Sequence, residues 1–140
     1  MAKDYKIKGS CLCGNVTYEI TDHLKIFQYC HCSRCRKFTG SAHSSNLFVN
    51  KDDFRWTSGE EFIGTYAPDE TKYFSTSFCK NCGSSLPWLE KSGRTMVVSA
   101  GTLDDDPQVK PKWNIYVASK APWHEETANL PKFDALPGKK

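Results

Sequence analysis

The chain has 140 residues, enough for one domain with its own core and too few for two. With 39% hydrophobic and 25% charged residues it has an ordinary globular composition, and no apolar run approaches the ~20 residues of a membrane span. The formal net charge of +3 comes from Lys and Arg scattered along the chain, apart from "RCRK" at 34–37 and the terminal "GKK", which argues against a nucleic-acid interface.

The N-terminal stretch "MAKDYKIKGS" lacks the apolar core of a signal peptide, so the expected location is the cytoplasm. In "NVTYEI" at 15–20, Val16, Tyr18 and Ile20 alternate with Asn15, Thr17 and Glu19, which predicts a strand with one buried face. Further strands are predicted at 25–30, 43–50, 61–66, 72–79, 94–101 and 112–119. Each is rich in β-branched and aromatic residues, with Gly, Pro, Asp and Asn between them. Helix is confined to one turn at 33–38, capped by Ser33, and a turn at 51–54. The pattern is that of an antiparallel all-β domain. From Pro122 onward the chain is Pro-rich but carries Trp123, Leu130, Phe133 and Leu136. Those residues predict a tail, 126–140, docked on a body of about 7–125 within one domain of 1–140.

Seven cysteines occur as Cys11 and Cys13, then Cys30, Cys32 and Cys35, then Cys79 and Cys82. In a reducing compartment such spacing points to metal ligands, since C-x-C and C-x-x-C let two thiolates converge on one ion. Gly14 and Gly83 follow the outer pairs and permit the positive φ of a tight knuckle. The simplest partition is four plus three: a closed site from Cys11, Cys13, Cys79 and Cys82, and an open one from Cys30, Cys32 and Cys35. His31, His43 or His124 could close the second. Free thiols, a shared seven-sulfur cluster and iron in the closed site are the competing readings.

The motifs "GSCLCGNVTYEI", "CHCSRCRKFTGSA", "FCKNCGSSL" and "KAPW" resemble the glutathione-dependent formaldehyde-activating enzyme family, which includes centromere protein V. The likeness spans about residues 7–125. The resemblance implies a β-tent of antiparallel sheets with two zinc ions per chain. Cys11, Cys13, Cys79 and Cys82 match the structural zinc ligands, and Cys30, Cys32 and Cys35 the catalytic ones. It implies carbon–sulfur lyase chemistry, in which glutathione and formaldehyde condense reversibly to S-hydroxymethylglutathione. The chain is more compact than the glutathione-acting members, and it reads Asn114 where many members carry a histidine.

An open zinc–tris-thiolate site can bind a thiol as thiolate or polarise a carbonyl, and three donating sulfurs favour the first. Around the trio, Arg34, Arg36 and Lys37 are candidates to hold substrate carboxylates, and Ser41 and His43 to move protons. Asp104 and Asp105 are candidate bases on a turn. The alternative is a non-catalytic binding module or thiol carrier with both zincs structural; oligomeric state is not legible.

Overall fold

In the computed structural model, which describes residues 3–125 and 129–138, those residues form three small sheets. The first has β1 (Ile7–Ser10), β2 (Thr17–Ile20) and β5 (Phe54–Ser58), in that order. The second contains β3 (Leu24–Cys30), β4 (Ser44–Asn50), β9 (Trp88–Leu89), β10 (Thr95–Ser99) and β11 (Asn114–Ile115). Its order is β11-β3-β4-β10-β9. The third has β6 (Ile63–Tyr66), β7 (Thr76–Cys79) and β8 (Ser85–Leu86). All pairings are antiparallel except that of β11 with β3. One short α-helix, α1 (Ser33–Thr39), follows β3. Among the described residues no helix is long and apolar enough to cross a membrane.

The alternation read in 15–20 is realised: Val16, Tyr18 and Ile20 are fully buried. Tyr18 and Ile20 meet Leu47 and Val49 of β4 and Met96 and Val98 of β10, closing a core between the first two sheets. The Tyr18 hydroxyl is satisfied there by Thr102 Oγ1 at 2.7 Å, so its burial leaves no polar atom unpaired. Because side chains alternate across a strand, the same β4 and β10 present Asn46, Phe48, Thr95 and Val97 to the opposite face. One face of the five-stranded sheet makes the core and the other floors a cleft.

Several expectations are corrected. The helix cap is Cys32, not Ser33, because the Cys32 Sγ accepts from the Cys35 N–H at 3.3 Å. The strand expected at 72–79 forms only over Thr76–Cys79. That expected at 112–119 shrinks to β11, since Tyr116 takes a left-handed backbone (φ 55°) that turns the chain off the sheet edge. The segments "IKGS" and "FRWTS", not foreseen as strands, complete the first sheet.

The tail does not dock as expected. Trp123, Leu130, Phe133 and Leu136 are 71%, 60%, 56% and 82% exposed. The described tail residues form neither strand nor helix that would aim these side chains at one surface. Residues 126–128 and 139–140, which the docked-tail reading also included, lie outside the described residues.

Candidate functional site

The outer cysteine pairs arrive from different sheets: Cys11 directly follows β1 and Cys79 ends β7. Gly14 and Gly83 adopt φ of 80° and 78°, which lets each segment double back. Their N–H groups donate to Cys11 O at 3.0 Å and Cys79 O at 2.8 Å. The Val16 and Cys82 N–H groups then donate to the Cys11 and Cys79 sulfurs, at 3.3 and 3.4 Å. The four sulfurs lie within 4.8 Å of one another. Cys13 Sγ stands 3.5 Å from Cys11 Sγ and 3.8 Å from Cys79 Sγ. Sulfurs on one tetrahedral ion, each about 2.3 Å from it, stand about 3.8 Å apart. The donors and their spacing fit a closed four-sulfur metal site.

The middle trio is assembled at one end of the five-stranded sheet. Cys30 ends β3, Cys32 caps α1 and Cys35 lies in its first turn. All three are buried and their sulfurs also lie within 4.8 Å of one another. Asn46 of β4 approaches Cys35 Sγ with its amide nitrogen at 3.9 Å, and Phe74 and Ile115 pack against the group. Unlike the outer four, the trio lines a cleft of about 930 Å³, with Arg34, Asn46, Phe74 and Ile115 beside it. Among the described residues no histidine joins either group within the same distance.

The electrostatics of the two groups differ. In the outer group, the Ser84 hydroxyl pulls the Cys82 thiol down to about 5, and the Asn81 side chain lowers Cys13, while burial raises Cys79. In the trio, hydrogen bonds from Cys30 and then Cys35, with the Arg34 charge behind them, hold Cys32 far below the ordinary thiol range. Donating to Cys32 and its closeness to Cys35 push Cys30 far up. Thiolates this close repel, so the ionised form of one thiol raises its neighbours. A dication is what allows all three to ionise, and binding it releases their protons.

The other candidate residues separate. Arg34 lines the cleft with its guanidinium 5.6 Å from the Phe74 ring centre. Arg36, Ser41 and His43 are not on its walls among the described residues: Ser41 is exposed, and His43 stacks on Tyr29 with ring centres 4.2 Å apart. Lys37 lines a smaller neighbouring groove. Asp104 and Asp105 are engaged away from the cleft, accepting from Ser10 Oγ at 2.7 Å and from the Lys8 N–H at 2.9 Å. They clamp β1 and are not placed to act as bases. His31 is buried and pairs its Nε2 with Asn114 Oδ1 at 2.9 Å. Sequence reasoning missed Asn46, Phe74 and Ile115. Asn46 had a readable sign, as a polar residue inside the apolar strand "SSNLFVN"; the other two reach the trio from distant loops and strands.

A protein of Schizosaccharomyces pombe named as an uncharacterized lyase is 28% identical over 62% of this chain and 60% of its own length. The match therefore spans less than two thirds of that relative. A Halomonas elongata protein, provisionally named glutathione-dependent formaldehyde-activating enzyme, is 27% identical over 85% of this chain and 80% of its own. The crystal structure of a Rhodobacter sphaeroides protein superposes with a TM-score of 0.58 at 25% identity, covering 76% of this chain and 98% of that one. The model of the family described as glutathione-dependent formaldehyde-activating enzyme matches residues 6–119. Most of the chain is covered by that match, cysteine motifs included, and the chain belongs to this family.

Proposed function

We propose that the protein is a zinc-dependent carbon–sulfur lyase that makes and breaks the bond between a small thiol, glutathione first, and a small aldehyde. The observation that carries the reading is the placement of Cys30, Cys32 and Cys35 on the wall of the cleft, with three sulfurs and, among the described residues, no fourth protein donor. The outer four cysteines, with a complete donor set, serve as a structural zinc site. When bound by the trio, zinc supplies a charge that lowers the pKa of an incoming thiol and keeps it nucleophilic near neutral pH.

In the forward direction the thiol loses its proton and its sulfur bonds to the carbonyl carbon. The carbonyl oxygen then takes up a proton and becomes a hydroxyl. The reverse breaks the same carbon–sulfur bond. The chain's own part is to bind and orient. Arg34, backed by the Phe74 ring, offers a bidentate partner for a substrate carboxylate, and Phe74 and Ile115 keep bulk water from the sulfurs. The Asn46 amide supports the charge on Cys35. The cytoplasm, rich in small thiols, is the location this chemistry suits.

Cobalt in place of zinc makes the proposal visible. Adding glutathione should change the cobalt absorption when its sulfur enters the ligand sphere, with the change confined to the trio and absent in Cys32→Ser. A spectrum indifferent to glutathione and to other small thiols, with the trio occupied, would give the site a structural role instead.

A further inference from the structure

On the other side of the Cys30–Cys32 segment stand three imidazoles that the proposed chemistry does not use. The ring centres of His31 and His43 are 5.0 Å apart, those of His31 and His124 5.3 Å, and those of His43 and His124 5.9 Å. These residues come from the end of β3, the start of β4 and the segment after Ala121, so only the fold brings them together. With nitrogens about 2.0–2.1 Å from one tetrahedral ion, imidazole ring centres stand about 5 Å apart. The observed triangle is close to that size.

The hydrogen bonds fix where the lone pairs are. Asn114 Oδ1 can only accept, so His31 carries its proton on Nε2 and leaves a lone pair on Nδ1. That Nδ1 is buried with no hydrogen-bond partner, in a residue only 3% exposed. Such an orphaned acceptor is costly unless something binds it. The Ser44 carbonyl likewise accepts from His43 Nδ1 at 3.1 Å, leaving the lone pair on His43 Nε2. Each of these rings therefore donates its one N–H to an amide or carbonyl oxygen and keeps a lone pair on the other nitrogen, as metal-ligating histidines do. Burial also disfavours positive charge on His43, which weakens an anion-binding reading of the cluster.

We infer that His31, His43 and His124 form a third metal site, one that takes a borderline divalent transition ion such as Zn²⁺ through three neutral imidazoles. Among the described residues only the cysteine groups have all ligand atoms within 4.8 Å of one another, so binding turns at least one imidazole. His124, half-buried and without a ring hydrogen bond among the described residues, is free to do so. An ion there ties the segment after Ala121 to the residue between two trio cysteines. Imidazole suits zinc, nickel and copper alike, so the site selects a class of ion.

The test uses protein whose cysteine sites already hold zinc, titrated with further Zn²⁺ by calorimetry. One additional equivalent should bind. His43→Gln and His124→Gln, at positions that are not fully buried, should each weaken it at least about tenfold, and the double variant should abolish it. Asn114→Ala keeps all three imidazoles but releases His31 Nε2, and should weaken binding about tenfold. Zinc held by the cysteines should stay the same in every variant, which shows that the fold is intact. Uptake of no further zinc would overturn the assignment. Uptake that His43→Gln and His124→Gln leave unchanged would overturn it equally.

Discussion

Two groups of cysteines in one chain use the same donor atom and the same short spacings, yet they stand in different surroundings. The outer four join the first sheet to the third, and Cys11 and Cys79 are buried in a core cluster with Val16 and Leu86. The middle three come from one strand–helix corner and face a cleft. Ligand chemistry alone does not separate a staple from a reactive site. Donor count and access to a cleft distinguish the two groups, and the proposed roles rest on that difference.

The sharpest way to break this contrast is to remove one ligand from each group. Cys79→Ser should have the largest effect, because the proposed outer zinc site connects elements distant in sequence, and metal binding there would be part of the folding free energy, on the order of 10 kcal/mol for small zinc modules. Loss of soluble protein, or of a cooperative calorimetric transition, is the expected result. Cys32→Ser should leave a folded chain with one zinc fewer in its cysteine sites than the parent. Thiol-dependent consumption of formaldehyde, followed by NMR, should fall at least about a hundredfold, the scale of losing an essential electrostatic group. Equal damage to folding from both substitutions would make both sites structural and erase the distinction.

A smaller effect tests which basic residue serves the cleft. Arg34→Gln should raise KM for a carboxylate-bearing thiol about tenfold, consistent with losing a hydrogen bond to a charged group. A neutral thiol should be unaffected, and Arg36→Gln should change neither. The reverse ranking would move the substrate away from the face of α1 that Arg34 occupies.

The smallest effect concerns Glu90, a buried residue on the same cleft. Burial works to raise its carboxyl, but the Ser92 hydroxyl and the N–H groups of Ser92, Arg94 and Thr95 outweigh that and hold it below the usual carboxylate range. A depressed folded value contributes stability that is fully present above the unfolded value near 4.5 and is lost as pH falls through the folded one. Thermal unfolding followed downward from pH ~6 should therefore show an acid-side loss in Tm that Glu90→Gln reduces by a few degrees. The proposed outer zinc site, none of whose cysteines is a hydrogen-bond partner of Glu90, should keep its metal in that variant.

Much of the fold was legible. The alternation of Val16, Tyr18 and Ile20 specified a one-sided strand because side chains on a strand alternate, whatever the partner. Strands at 25–30 and 43–50 were read nearly to the residue from their β-branched and aromatic content. An edge strand of the first sheet, "FRWTS", was missed although Phe54 and Trp56 alternate with exposed Arg55 and Thr57, because the pattern is short and the turn expected at 51–54 took in its first residue. The tail's apolar residues were read as docked because apolar side chains usually are, but Pro131 and Pro137 leave no regular element to present them.

For the site, cysteine spacing determined each local set by itself, since thiolates two or three residues apart can meet on one ion through local backbone turns alone; that the two outer pairs meet each other, with Cys13 and Cys79 66 positions apart, was decided by the fold. Basic residues around the trio could not be ranked in the same way. Arg34 and Arg36 are two residues apart on a helix and so face different directions, and only the packing of α1 against the sheet decides which one meets the cleft. His31, His43 and His124 were legible only as separate candidates to close the trio; that their imidazoles meet one another was not, because it depends on contacts between segments up to 93 positions apart. Local chemistry is written in spacing; proximity between distant segments exists only once the chain has closed its cores.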